Sequence, residues 1–228
     1  MMSARPIGGS KIVTRELLMI APAPTEILFP SDVAFTPAVK AIQARKGSRA
    51  AYERMENGEG WQTTITDDLA AFIATQTSFL LATANLDGQP YVQHRGGPPG
   101  FLHVIDDKTL GFADFRGNRQ YITLGNLAQN PKAFLFLIDY TNRRRVKIWG
   151  EARVAEEAAL IARLMPENYK ARPEQAILFT IATWNGNCPQ HIPQRFDAAD
   201  VAAAIAAREQ RIAELEAEVA RLREGRAG

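Results

Sequence analysis

Hydrophobic and polar positions divide the chain into three textures. Residues 1 to about 35 show no sustained period, and Pro22, Pro24, Pro30 and Pro37 interrupt any helix, which predicts an extended N-terminal arm over 1–35. From Thr36 the stretch "TPAVKAIQARKGSRAAYERM" places Val39, Ile42, Ala50 and Met55 at rough helical spacing. Thr36 then Pro37 is a cap and first-turn pair, and Gly47 marks an interruption. "TDDLAAFIATQ" predicts a second short helix capped by Thr66, with Asp67 and Asp68 in the first turn, where the helix dipole favours negative charge.

The period then becomes that of strands. "SFLLATAN" (78–85) is an apolar run, Asp87-Gly88 is a hairpin-turn signal, and "PYVQHR" (90–95) returns as a second strand. "FLHVI" and "LGFAD" flank the turn "DDKT" across 101–114. "GNRQYITLGNLAQNP" (117–131) predicts one helix, entered at Gly117-Asn118 and stopped by Asn130-Pro131. "KAFLFLIDY" and "RRVKIWGEARV" are two long strands joined by "TNR"; the helix "EEAALIARLM" ends before Pro166; "QAILFTIATW" (175–184) is the last strand. The expected fold is mainly β with α (α+β): a six-stranded antiparallel barrel, closed or partly closed, with flanking helices over 36–196. Strands and helices do not alternate around a G-x-G-x-x-G loop, which argues against a dinucleotide-binding α/β fold.

The third texture is the tail, 197–228. From Asp197 to Arg223 it has no Gly or Pro and alternates apolar positions four and three apart. Ile205, Ile212 and Val219 take position a of a heptad, and Val201, Arg208, Leu215 and Leu222 take d. β-branched a with Leu at d favours a parallel two-stranded coil, in which Arg211 would face Glu216 and Glu218 would face Arg223 of a partner. The alternative is one amphipathic helix lying on its own barrel.

Composition narrows the partners. Of 228 residues, 46% are hydrophobic and 23% charged, as expected for a globular chain with a core. The net charge of +2 gives no reason to expect a nucleic-acid partner, and the "RRR" run at 143–145 lacks interleaved aromatics, so it reads as a solvated turn. The apolar piece "LLMIAPAP" is too short to span a membrane or to serve as a signal core, and a single cysteine fits a reducing compartment. A cytoplasmic protein without a membrane partner is expected. His103 alternates with apolar neighbours and reads as structural.

Candidate chemistry gathers in "WNGNCPQHIPQRF" (184–196), which holds the only cysteine, Cys188, three residues before His191. Thiol catalysis needs a base in reach and a group to orient it, but Pro189 and Pro193 favour an extended chain that turns the two side chains apart. A metal site needs three or four ligands, and only two cluster here. The segment reads instead as a stiff loop presenting polar groups, with Trp184 either near a ligand or ending the last strand in the core.

The stretch from "FLLATANLDGQPYVQHRGG" through "GFADFRGNRQYITLGNLAQNPKAFLFLIDYTNRRRVKIWGEARV" (79–154) resembles the FMN-binding split-barrel family typified by pyridoxamine 5'-phosphate oxidase, and the resemblance extends over about 66–196. It implies FMN as cofactor, a homodimer with the flavin at the subunit interface, and electron or hydride transfer to or from a small-molecule substrate. It implies that Gln93, His94 and Arg95 lie on the strand contacting the ribityl chain and phosphate. Asn118 and Arg119 match the phosphate-binding cluster, with Arg116 beside them, and Arg145 falls near the pyrimidine edge of the ring. Guanidinium forks and helix N-termini are what a phosphate requires. Gln190, His191, Gln194 and Arg195 would close over the ring held by the other subunit. The Arg-x-His pair with which the family's oxidases engage their substrate is absent, so that activity does not carry over. Other readings are a non-catalytic flavin carrier or sensor, and a split barrel holding a deazaflavin or a haem ligated by His191.

Overall fold

The computed structural model describes residues 29–58, 60–187 and 189–225. The expected arm lies largely outside them, as do Cys188 and its part in the C-x-x-H reading. A short 3₁₀ turn at Pro30–Val33 leads into α1 (Pro37–Lys46), α2 (Arg49–Glu56) and α3 (Asp67–Ala74). The expected caps are present: the hydroxyls of Thr36 and Thr66 accept from the amides of Val39 and Leu69. Gly47, at φ 79°, ends α1 in the left-handed conformation, and that separates α1 from α2.

Seven strands follow, one more than expected: β1 (Ser78–Ala84), β2 (Pro90–Gly96), β3 (His103–Val104), β4 (Thr109–Phe115), β5 (Lys132–Asp139), β6 (Arg144–Ala155) and β7 (Pro173–Asn187). The count of seven includes β3, the short first arm of the "FLHVI"/"LGFAD" hairpin, only two residues of which pair, with Gly111 and Leu110. All pairings are antiparallel, in the order β2-β1-β5-β6-β7-β4-β3. No ladder joins β2 to β4 among the described residues; side chains bridge them instead, so the curled sheet is a barrel with one open seam.

Period-two alternation turns Phe79, Leu81, Leu135, Leu137, Val146 and Ile148 inward, where Phe112, Phe179 and Ile181 complete the core. Phe79 stacks on Phe101 and meets Phe112 edge-on, with ring centroids 5.5 and 5.2 Å apart. α3 adds Leu69, Phe72 and Ile73 to the same cluster. α5 (Ala158–Leu164) packs Leu164 with Ala113, Ala155 and Ala176 on the other side of β4 and β7.

The opposite face of the sheet is apolar too, yet only partly covered. Ala82 is registered with Val92 and Phe134, and Phe134 with Trp149; one step along, Leu80 faces His94 and Phe136. Leu80 and Val92 are exposed, and Phe134 and Phe136 half-buried.

Two boundaries correct the expectations. The helix expected from Gly117 starts only at Ile122, forming α4 (Ile122–Gln129), because Arg119 and Tyr121 stand at φ 60° and 55° and no helix runs through the left-handed region. β7 runs to Asn187, three residues beyond the expected end. Trp184 is therefore a core residue, its indole N–H donating to the Thr64 carbonyl at 2.8 Å.

The last element, α6 (Ala198–Glu224), agrees with the tail's period, and none of its residues is buried. Among the described residues no helix is long and apolar enough to cross a membrane.

β6 and β7 shift register between Trp149 and Gly150. A Cβ on Gly150 would collide with the Thr180 carbonyl oxygen and stand 2.7 Å from the Phe179 ring, neither of which is free to move. Gly150→Ala is expected to lower stability by about 1–3 kcal/mol, read as a fall of several degrees in the thermal midpoint.

Candidate functional site

The seam between β2 and β4 forms a groove. Alternation along β2 turns Gln93 and Arg95 to one side and His94 to the other, although all three border the groove. A section of about 240 Å³ runs from His94 and Arg95 past Phe112 to Arg116 and Gly117. It continues into a second section bordered by Asn118, Arg119, Tyr121 and Thr123.

The loop before α4 shapes that second section. Asn118 Oδ1 accepts from the Gln120 amide at 3.2 Å, a turn that competes with helix and delays its start. Arg119 is exposed, its Nε donating to the Tyr121 hydroxyl at 2.9 Å. Arg116 pairs with Glu174 at 3.7 Å, and its amide donates to the Arg172 carbonyl. So Asn118 and Arg119 precede the helix by several residues, correcting the expected placement at its first turn. Tyr121, the N-cap of α4, makes no side-chain capping bond. The amides of the first turn have no partner within the helix and lie beside the groove. α4 itself is fixed from behind: Thr123 donates to Gln93 Oε1 at 2.7 Å, and Asn126 donates to the Thr83 hydroxyl at 3.0 Å.

At the floor of the groove Arg95 forms a largely buried ion pair with Asp114. Gln175 Nε2 donates to the other carboxylate oxygen at 2.5 Å. Burial pushes the Asp114 carboxyl above its ordinary range, against the opposing pull of the Arg95 charge and the Gln175 hydrogen bond. Arg95 Nε is buried and has no hydrogen-bond partner among the described residues.

The remaining candidates gather elsewhere. Arg145 is the second residue of β6, registered with Ile138 and Asn187, with its Nε also buried and unpartnered. Burial, together with the neighbouring Arg145 charge, holds the Lys147 ammonium below its usual range. In the run at 143–145 only Arg143 stays in the turn; Arg144 pairs with Asp68 and lies 4.6 Å from the Phe72 ring centroid. The closing segment is tied to the β5–β6 turn. Gln194 Nε2 donates to the Thr141 carbonyl at 2.9 Å, Thr141 Oγ1 donates to the Arg195 carbonyl at 3.0 Å, and the Arg195 guanidinium lies 4.5 Å from the Tyr140 ring centroid. Gln190 and His191 are exposed, His191 at φ 64°.

Thus Gln93, His94, Arg95, Arg116, Asn118 and Arg119 lie at the groove, Arg145, Gln194 and Arg195 lie by the β5–β6 turn, and Gln190 and His191, both exposed, precede the last two in the closing segment. The sequence reading missed Asp114, Gln175 and Thr123. A charged residue between apolar neighbours in "GFADF" was the available signal for the first. Among the described residues no three His, Cys, Asp or Glu side chains are grouped to hold a metal ion.

A seamed antiparallel barrel with an anion-suited groove defines a class, and the sequence profile described as pyridoxamine 5'-phosphate oxidase matches residues 65–188. The chain belongs to that family. No curated protein matches it. Solved structures similar to it include HupZ from Group A Streptococcus, at 17% identity over 58% of this chain and 99% of that one, with a TM-score of 0.45. An FMN-binding protein from Syntrophomonas wolfei is 15% identical over 64% of this chain and 97% of that one, at a TM-score of 0.45. The FAD-binding protein from Mycobacterium smegmatis is 14% identical over 55% and 97%, at 0.38.

Removing Asp114 would leave a buried, unpaired guanidinium. Asp114→Ala is expected to cost about 3–5 kcal/mol of stability, whereas Arg95→Met combined with Asp114→Leu should cost less than the single change; equilibrium denaturation of both variants measures the difference.

Proposed function

We propose that the chain is an FMN-dependent oxidoreductase acting as a homodimer, with the flavin phosphate held in the groove between β2 and α4. What points to an anionic ligand is the uncapped start of α4, opening on the same groove as the unpartnered Nε of Arg95 and the exposed Arg119. Amides at a helix N-terminus and guanidinium donors suit a phosphate by charge and by hydrogen bonding. Asn118 shapes the approach, and Gln93, already bonded to Thr123, offers its amide N–H groups toward a ribityl hydroxyl.

The separation of the candidate residues supports the dimer. A two-fold related copy placed on the apolar outer face of β1, β2 and β5 would cover Leu80, Val92, Phe134 and Phe136. In that arrangement the closing segment of one copy would lie over the groove of the other, where Gln190, His191, Gln194 and Arg195 would offer donors to the ring's N1/O2 edge. When bound, FMN supplies hydride or electron transfer at N5. The protein's part is to bind and orient it, to exclude water and to place positive charge where negative charge develops.

An absorption spectrum of the purified protein should show oxidised flavin, and the protein should bind added FMN. Colourless protein that fails to bind FMN would overturn the reading, and a Soret band would replace it with haem. Turnover of NAD(P)H with an electron acceptor separates an enzyme from a carrier. Arg119→Ala is expected to weaken FMN binding roughly tenfold or more while leaving riboflavin, which lacks the phosphate, unaffected; fluorescence titration with both flavins measures this.

A further inference from the structure

The 27 residues of α6 make a rod of about 40 Å. It follows the closing segment, and Val201, Ile205, Ile212, Leu215, Val219 and Leu222 are 42–63% exposed along it. A helix lying on its own barrel would bury that stripe, and here no residue of α6 is buried. Most helices in proteins owe their stability to packing of an apolar face, and α6 has no such packing among the described residues. Two hollows lie along the stripe, one bordered by Val201 and Ile205 and one by Ile212, Leu215 and Val219, as knobs-into-holes packing requires.

We propose that α6 pairs with α6 of a second copy of this chain as a parallel, in-register two-stranded coiled coil. Charge complementarity selects this occupant and this direction. In register, Arg211 faces Glu216 of the second copy and Glu218 faces Arg223, giving four opposite-charge pairs per dimer. Arg211 now bonds Glu214 of its own helix at 3.0 Å, an exposed pair weak enough to exchange. An antiparallel arrangement matching Ile205 with Leu222 and Ile212 with Leu215 would keep Arg211 against Glu218 but set Glu209 against Glu216, like against like. Arg208 occupies a d position, beside Glu209 of the second copy in the parallel coil. A lone charged residue at such a position lowers stability while fixing register. The surface is independent of the flavin site and would form whether or not the groove binds FMN.

Full-length protein carrying Cys188→Ser, so that one thiol remains, tests this with Leu222→Cys. Mild oxidation should convert most of it to a covalent dimer on a non-reducing gel, whereas Ala217→Cys, at the outward f position, should stay monomeric. Adding Ile212→Lys and Leu215→Lys should abolish the Leu222→Cys cross-link and reduce helical circular dichroism. Three results would overturn the proposal. One is cross-linking of Leu222→Cys no greater than that of Ala217→Cys. Another is cross-linking that persists with the two lysines. The third is a mixture in which Leu222→Cys chains join Ile205→Cys chains in preference to each other, since those positions oppose only in the antiparallel arrangement.

Discussion

A sheet that curls until its edges approach, without a ladder across the gap, must hold that gap with side chains. Here the tie is Arg95 of β2 on Asp114 of β4, seconded by Gln175 of β7. Two charges taken largely out of water are stabilising only when well paired, so this contact fixes how wide the seam stands. The groove inherits that width, and so does the distance from β2 to the loop that precedes α4. The Nε of the same guanidinium faces no protein acceptor, so under the proposed function Arg95 would serve both the scaffold and the ligand and could not be altered for one purpose alone.

Much of the scaffold is visible in the residue pattern because its causes are local. Thr36 and Thr66 cap helices through their own hydroxyls, Gly47 and Gly88 supply the positive φ their turns need, and six of the strands show the run or alternation of a half-buried surface. Failures occurred where a non-local or low-propensity conformation prevailed. Arg119 and Tyr121 adopt left-handed conformations that neither residue type favours, delaying α4. β7 runs on past Trp184 because Asn185, Gly186 and Asn187 pair with Lys147, Val146 and Arg145 of β6, about forty positions earlier.

The site was legible by residue type rather than by arrangement. Arginines, an asparagine and glutamines in polar segments suggested an anionic ligand, but only the fold divides them between the groove, the β5–β6 turn and the closing segment. Asp114 escaped notice because its meaning depends on Arg95, nineteen positions away and on a strand not bonded to its own. A carboxylate is an odd neighbour for the phosphate site proposed here, and the ion pair with Arg95 accounts for it.

β7 has consequences for how the protein is made. It pairs along its length with β6 and over its first part with β4, joining the two halves of the sheet. Nothing else connects β4 to the β1-β5-β6 portion by backbone hydrogen bonds among the described residues. A growing chain can therefore form the β1-β2 and β5-β6 hairpins early, but their apolar inner faces stay open until the last strand leaves the ribosome. Long-range pairings of this kind slow folding and lengthen the exposure of unpaired edges. The nascent chain would be most prone to misassociation in the interval between the synthesis of β6 and that of β7.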